Sequence, residues 1–267
     1  MLCTGVALYG TSHIHPMDAF QAGKSFFDSI GQPYTGASYY ALLSDGDHEG
    51  DHDIFEVSCE ELYERIKCEQ VSSFWIYSQQ RGTLPWDAAF TCQSGEFGRL
   101  PHLAAHVDMK SDDVHRAMSN WLGITAERLD VPYGIIYTAN KLTAALHYAA
   151  GDNGTFIFPF EDGFAFKHAN HGLYDRQSQY IESMLRMVYP YNLLNEHHLL
   201  MKMGDQPLRD WINGSTERGI LRSIGQDRWM WEVMDEHLAV VNQACGAADM
   251  LVAWRPERPK KLVKKLP

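Results

Sequence analysis

The sequence predicts an α+β fold, with a mixed or antiparallel sheet (or sheets) and packed helices. Three observations carry that expectation. Runs with a two-residue apolar period and runs with a helical period are interleaved along the chain. They do not alternate strictly as strand then helix, as a doubly wound sheet or a TIM barrel requires. Residues Gly219–Ile224 and Arg228–Val233 are both strand-like and stand three residues apart, which reads as a hairpin. With 267 residues, 45% of them apolar and 12% aromatic, the chain can bury a sizeable core, and disorder is excluded.

The elements follow in order. The N-terminal run Met1–Tyr9 reads as a first strand, not a signal peptide, because it has no basic segment and its short apolar run ends at Gly10. Asp18 is placed to cap a helix reaching Ile30, with Gly31 as its stop. Tyr39–Ser44 reads as a strand. Ser58 and Glu61 give the S-x-x-E capping pattern for a helix to about Cys68. Val71–Ser78 is dense in β-branched and aromatic residues and reads as a central strand, followed by Ala88–Gln93. In His102–Met109, Leu103, Ala105, Val107 and Met109 face one way and His102, His106 and Asp108 the other. Ser111 caps a helix whose first turn holds Asp112 and Asp113, with Gly123 as its expected end. Further strands are expected at Tyr133–Thr138, Thr155–Phe160 and Met250–Trp254. Helices are expected at Asn140–Ala150, Pro207–Ile212 and Asp235–Ala248. Residues 161–180 read as loop, and 178–200 stays ambiguous, interrupted by Pro190. Residues 1–254 are read as one domain, with a division into two lobes near 123–133 left open, and 255–267 as a flexible tail.

Charge is unevenly placed. The chain has 23 basic and 34 acidic residues, a net −11. That balance argues against broad binding to nucleic acid or to an anionic membrane and favours a basic partner. Residues 45–64 hold nine acids and no Lys or Arg, whereas the last thirteen hold six basic side chains and one acid. The five cysteines form no C-x-x-C pair, which suits reduced, buried thiols in a cytosolic protein. No apolar stretch is long enough to span a bilayer, so the expected location is the cytoplasm.

The search for catalytic motifs finds no G-x-S-x-G, P-loop or G-x-G-x-x-G. His48-Glu49-Gly50-Asp51-His52 satisfies H-E-x-x-H, but its Gly- and Asp-rich surroundings favour turns over the helix that would align two imidazoles on a metal. His13-Ile14-His15 follows the first strand as the H-x-H of metal-dependent amidohydrolases does. These residues, with His102, His106 and Asp108 and the His-rich spots at 168, 171, 197 and 198, support the alternative of a metal-dependent hydrolase. No cofactor is called for otherwise.

The C-terminal third runs Asn192-Leu193-Leu194-Asn195-Glu196-His197-His198-Leu199, then Pro207-Leu208-Arg209-Asp210-Trp211-Ile212. The tryptophan-bearing hairpin Arg218–Leu221 and Arg228–Val233 follows. Together with the N-terminal β–helix unit, this resembles the Immunity-52 family, among the immunity proteins of bacterial polymorphic and type VI secretion toxins. The resemblance implies a cytoplasmic α+β protein that is not an enzyme. It would bind a cognate protein toxin, a basic nuclease, and occlude it sterically and electrostatically. It also implies that Trp211, Trp229 and Trp231 support the fold. The acidity suits such a partner, and Asp45, Asp47, Glu49, Asp51, Asp53 and Glu56 are the expected contact, acting as phosphate mimics.

Overall fold

The computed structural model describes residues 2–44, 46–48, 50–79, 86–96, 99–169, 179–225 and 227–256. Its frame is a ten-stranded antiparallel sheet. Strands β1 (Cys3–Tyr9), β2 (Gly36–Leu42), β3 (His52–Val57), β4 (Phe74–Ser78), β5 (Ala88–Gln93) and β6 (His102–Val107) come from the first half. Strands β7 (Tyr133–Ala139), β8 (Tyr191–Asn195), β11 (Ile220–Gly225) and β12 (Arg228–Glu232) come from the second, and β9 (Lys202–Met203) and β10 (Gln206–Pro207) form a separate small ribbon. The order is β11-β12-β8-β7-β1-β6-β5-β4-β2-β3, so β1 and β7 join the two halves in one sheet and β11 and β3 are its edges.

Alternation along the strands makes two layers of core. From β1, Val6 and Leu8 point to one face, and Cys3, Ala7 and Tyr9 to the other. Helices α1 (Pro16–Ile30), α2 (Cys59–Lys67) and α3 (Asp112–Leu129) cover the first face. Phe26 packs edge-on to Phe27 and to Trp121, whose indole N–H reaches the Ala22 carbonyl at 3.1 Å. Each such ring, fully buried, contributes about 1.5–3 kcal/mol. On the opposite face, α4 (Leu142–Tyr148), α5 (Ala165–Ala169), α6 (Glu196–Leu200), α7 (Leu208–Asn213) and α8 (Leu238–Ala247) build the second layer over the C-terminal half of the sheet.

Local chemistry sets the element ends. Helix α1 begins earlier than Asp18: His15 Nδ1 accepts from the Met17 N–H, and Pro16 sits at the first turn, where its missing N–H costs nothing. Ser58 caps α2 and Ser111 caps α3, each accepting an N–H three residues on. Gly123 does not end α3. The helix runs to Leu129 and stops at Asp130, whose backbone is left-handed. Trp121, Leu122, Thr125 and Ala126 stay buried beneath the sheet, and that packing outweighs the roughly 1 kcal/mol a mid-helix glycine costs.

Three further expectations are corrected. Thr155–Phe160 is not a strand: Pro159 cannot donate to a ladder, and Phe158 and Phe160 stack on each other instead, at 5.3 Å. Met250–Trp254 makes only isolated bridges, Leu251 to Leu185 and Trp254 to Glu161. Within 161–180, read as loop, residues 165–169 form α5. Residues 123–133 span the end of α3 and the first residue of β7. Beyond residue 256 the basic tail lies outside the described residues.

Candidate functional site

Two neighbouring surfaces at the β3 end of the sheet are candidates. The first is the β2–β3 hairpin. Among the described residues β3 pairs only with β2, so it forms an edge of the sheet, and nearly all of it is exposed. Asp47 and Asp53 are exposed, and Asp51, half-buried, accepts the His48 backbone N–H at 2.9 Å. Asp53 and Glu56 lie on opposite faces of β3: Glu56 is opposite Ser38, on the side of Tyr77, whose hydroxyl donates to the Glu56 carboxylate. Burial, then that bond, push the Tyr77 phenol up. Asp45 and Glu49 lie outside the described residues.

The second surface is a groove of about 630 Å³. Helices α4–α8 stop short of the β4–β2–β3 end, and there Tyr40, Trp75, Tyr77, Ala89 and Trp86 form a separate small cluster. Strand register explains it. Trp75 and Tyr77 alternate with the core residues Phe74 and Ile76, and Trp75 is paired with Thr91 and Ser38 across the neighbouring strands. Trp86 lies flat on Tyr77 at 4.5 Å, and Trp75 meets Tyr40 edge-on at 4.7 Å. The Arg99 guanidinium lies 5.2 Å over the Tyr40 ring. His102, Ala104 and His106 of β6 continue the groove to a wall made by Ala145, Leu146 and His147 of α4. Lys167 of α5 closes it, held to Asp152 at 2.6 Å.

His106 is the groove's unusual group. Burial pushes its pKa down to about 4, although a bond to the Trp86 backbone and the charge of Asp108 act in the opposite direction. The imidazole is therefore neutral near pH 7. A backbone partner that favours the charged form is a carbonyl, so one ring nitrogen donates to Trp86. Nε2 has no hydrogen-bond partner and is a buried, unsatisfied acceptor.

Among the described residues the histidines are not gathered into a metal centre, and His171 lies outside those residues. His48 lies in the hairpin loop and His52 begins β3, so H-E-x-x-H is not helical. His15 caps α1, and His13 Nε2 lies 2.9 Å from the Leu129 carbonyl. His102 and His106 stand four strand residues apart, about 13 Å. The His102 Nδ1 is engaged with the Leu100 carbonyl, and Asp108 lies past the end of β6, where it accepts from the Cys3 thiol. His198 is committed to α6: its Nδ1 accepts from the Asn195 N–H and its Nε2 donates to the Tyr180 carbonyl. Among the described residues no group of three or more His, Cys, Asp or Glu is placed to hold a metal.

The tryptophans of the C-terminal motif are placed apart from the groove. Trp231 is fully buried, its N–H donating to the Arg218 carbonyl at 2.7 Å. Trp229 and Trp211 are partly buried, under Arg209 at 4.9 Å and Arg218 at 4.6 Å. Sequence reasoning read Trp75 and Tyr77 as part of a central strand and passed over Tyr40, Trp86 and Arg99. The available signal was Trp75 and Tyr77 at alternate positions of a strand whose other face was already apolar.

No protein-family model matches this chain, and a search of curated proteins finds no match. Among solved structures, the chain is similar to the Pseudomonas aeruginosa T6SS protein PA0821. The TM-score is 0.53 at 10% identity, over 97% of this chain and 76% of that one. That likeness is one of fold. Among the described residues no helix is long and apolar enough to cross a membrane.

Proposed function

We propose that this chain is an immunity protein. It binds and neutralises a secreted antibacterial toxin, a nuclease effector of a type VI secretion system, by occluding the toxin's basic cleft. The observation that supports the reading is the likeness of fold, over 97% of the chain, to a protein named as a T6SS protein of Pseudomonas aeruginosa. The tryptophan-bearing C-terminal sequence, with its resemblance to Immunity-52 proteins, points the same way. In this reading the chain works by binding, needs no catalytic residue or cofactor, and acts in the cytoplasm, where a nuclease would find its substrate.

The acidic hairpin is the proposed contact. Asp47 and the half-buried Asp51 lie in the hairpin loop and Asp53 on the edge strand β3, in a protein of net charge −11, and like charges grouped at such a surface raise encounter rates with a basic cleft. The test is association kinetics with the C-terminal domain of the protein encoded by the adjacent gene, the proposed toxin, at low and high salt. A salt-sensitive on-rate that falls about tenfold in the Asp47→Lys, Asp51→Lys, Asp53→Lys variant supports the hairpin. An unchanged on-rate moves the interface elsewhere, and failure to form a complex removes the immunity reading.

A further inference from the structure

We infer that the groove beside the hairpin is a ligand site, and that its ligand is a nucleoside monophosphate. Four observations on one surface point there. The volume, about 630 Å³, is that of a small-molecule site. Trp75, largely buried, and Trp86, half-buried with one face against Tyr77, both line the groove, and an indole is the kind of surface on which a base stacks. His106 Nε2 is a buried acceptor with no partner, and the groove is the open volume that His106 borders. A partner for a neutral imidazole nitrogen must bring an N–H or O–H, which every nucleobase carries on its edge. Arg99 and Lys167 are the cations of the lining, and Asp152 offsets only one of them. A net positive charge in the groove of an acidic protein suits a phosphate.

The parts make separable demands. The ring needs the indoles, the base N–H needs His106 Nε2, and the phosphate needs Arg99. A ribose phosphate without a base satisfies only the third. Purine riboside monophosphate lacks the exocyclic amine of AMP and keeps its ring and phosphate. The site is independent of the toxin interface: it can exist whether or not the chain neutralises a toxin.

The experiment is titration of the full chain with AMP, GMP, CMP and UMP, followed by tryptophan fluorescence and calorimetry. Ribose 5-phosphate and purine riboside monophosphate serve as controls. Saturable quenching is expected with at least one of the four nucleotides, and no response with ribose 5-phosphate. Arg99→Ala is expected to weaken that binding about tenfold. His106→Leu is expected to weaken it as much; because the variant removes the unsatisfied Nε2 but also the bond to the Trp86 backbone, its thermal midpoint is measured alongside and binding is read on the folded variant. If AMP is a ligand, purine riboside monophosphate binds less tightly. Equal binding of ribose 5-phosphate would reduce the site to an anion contact and overturn the proposal. So would the absence of saturable binding by all four nucleotides, or His106→Leu binding as the parent does.

Discussion

Arg186 is wholly buried, with its guanidinium between the Tyr148 ring at 3.7 Å and the Phe166 ring at 4.3 Å. Its Nη1 donates to the Tyr148 carbonyl at 2.6 Å and the Tyr9 hydroxyl at 3.2 Å, and its Nε lies 3.7 Å from Glu161. Glu161 accepts from the Tyr148 hydroxyl and the Ile157 N–H, yet burial still raises its pKa. Removing one member of such a pair strands the other charge. Arg186→Met is expected to cost about 3–5 kcal/mol in urea unfolding, and Glu161→Gln added to it to recover part of that loss. The buried histidines set the acid limit. His106 and His198 are both pushed down to about 4 by burial, from an ordinary 6.5. Between those values the unfolded chain binds protons that the native state refuses, so stability falls as pH drops from 6.5 to 4. The loss approaches about 3 kcal/mol for each histidine. Glu161 opposes this, because its raised pKa favours the native state on acidification just above the ordinary carboxylate range. Unfolding midpoints measured across that window should fall with pH, and His106→Leu should flatten the fall. None of this was legible in the sequence, where Arg186 sits in an ambiguous stretch and His106 is one of thirteen histidines.

The elements differ in how plainly they are written. Strand β5 was legible to the residue, and β4, β6, β7, α1 and α2 within a few, because each packs one apolar face or carries a capping side chain. Strand β3 was missed because it is exposed along its length and shows no apolar alternation, only the hydrogen bonds of its one neighbour. The groove was hidden for the opposite reason: Trp75 and Tyr77 look like core, and only the shortness of the helical layer above them makes them a site. That layer's position depends on Gly5. A Cβ there would fall 2.3 Å from the Tyr137 ring, whose hydroxyl holds the Ala145 carbonyl of α4 at 2.7 Å. Gly5→Ala is expected to destabilise by about 1–3 kcal/mol through overpacking. Because α4 forms the groove wall, it should also weaken any ligand bound there. At the far end, Asn242 of α8 bridges the Val188 N–H and carbonyl, both at 2.8 Å. Asn242→Leu leaves both buried groups unpaired and is expected to cost about 2–4 kcal/mol, read from the unfolding midpoint.

At the scale of the molecule, one sheet carries two layers of helices that do not cover the same strands. The α1–α3 layer lies beneath the first half and reaches β7 and β8, whereas the α4–α8 layer lies over the second-half strands and reaches only β1 and β6 of the first half. The offset leaves a stepped surface, with the aromatic groove in the step and the acidic hairpin at its outer edge. Apolar periodicity foretold the class of fold, and composition the sign of the charge. It did not foretell the step, which depends on how far the upper layer extends. The reading of the whole rests on neutralisation by binding, and survival tests it most directly. The C-terminal domain of the protein encoded by the adjacent gene would be expressed in a bacterial host with this chain, without it, and with the hairpin charge-reversal variant. The account predicts killing by the domain alone, rescue by this chain, and weaker rescue by the variant. Killing that persists beside well-expressed, folded chain would contradict it.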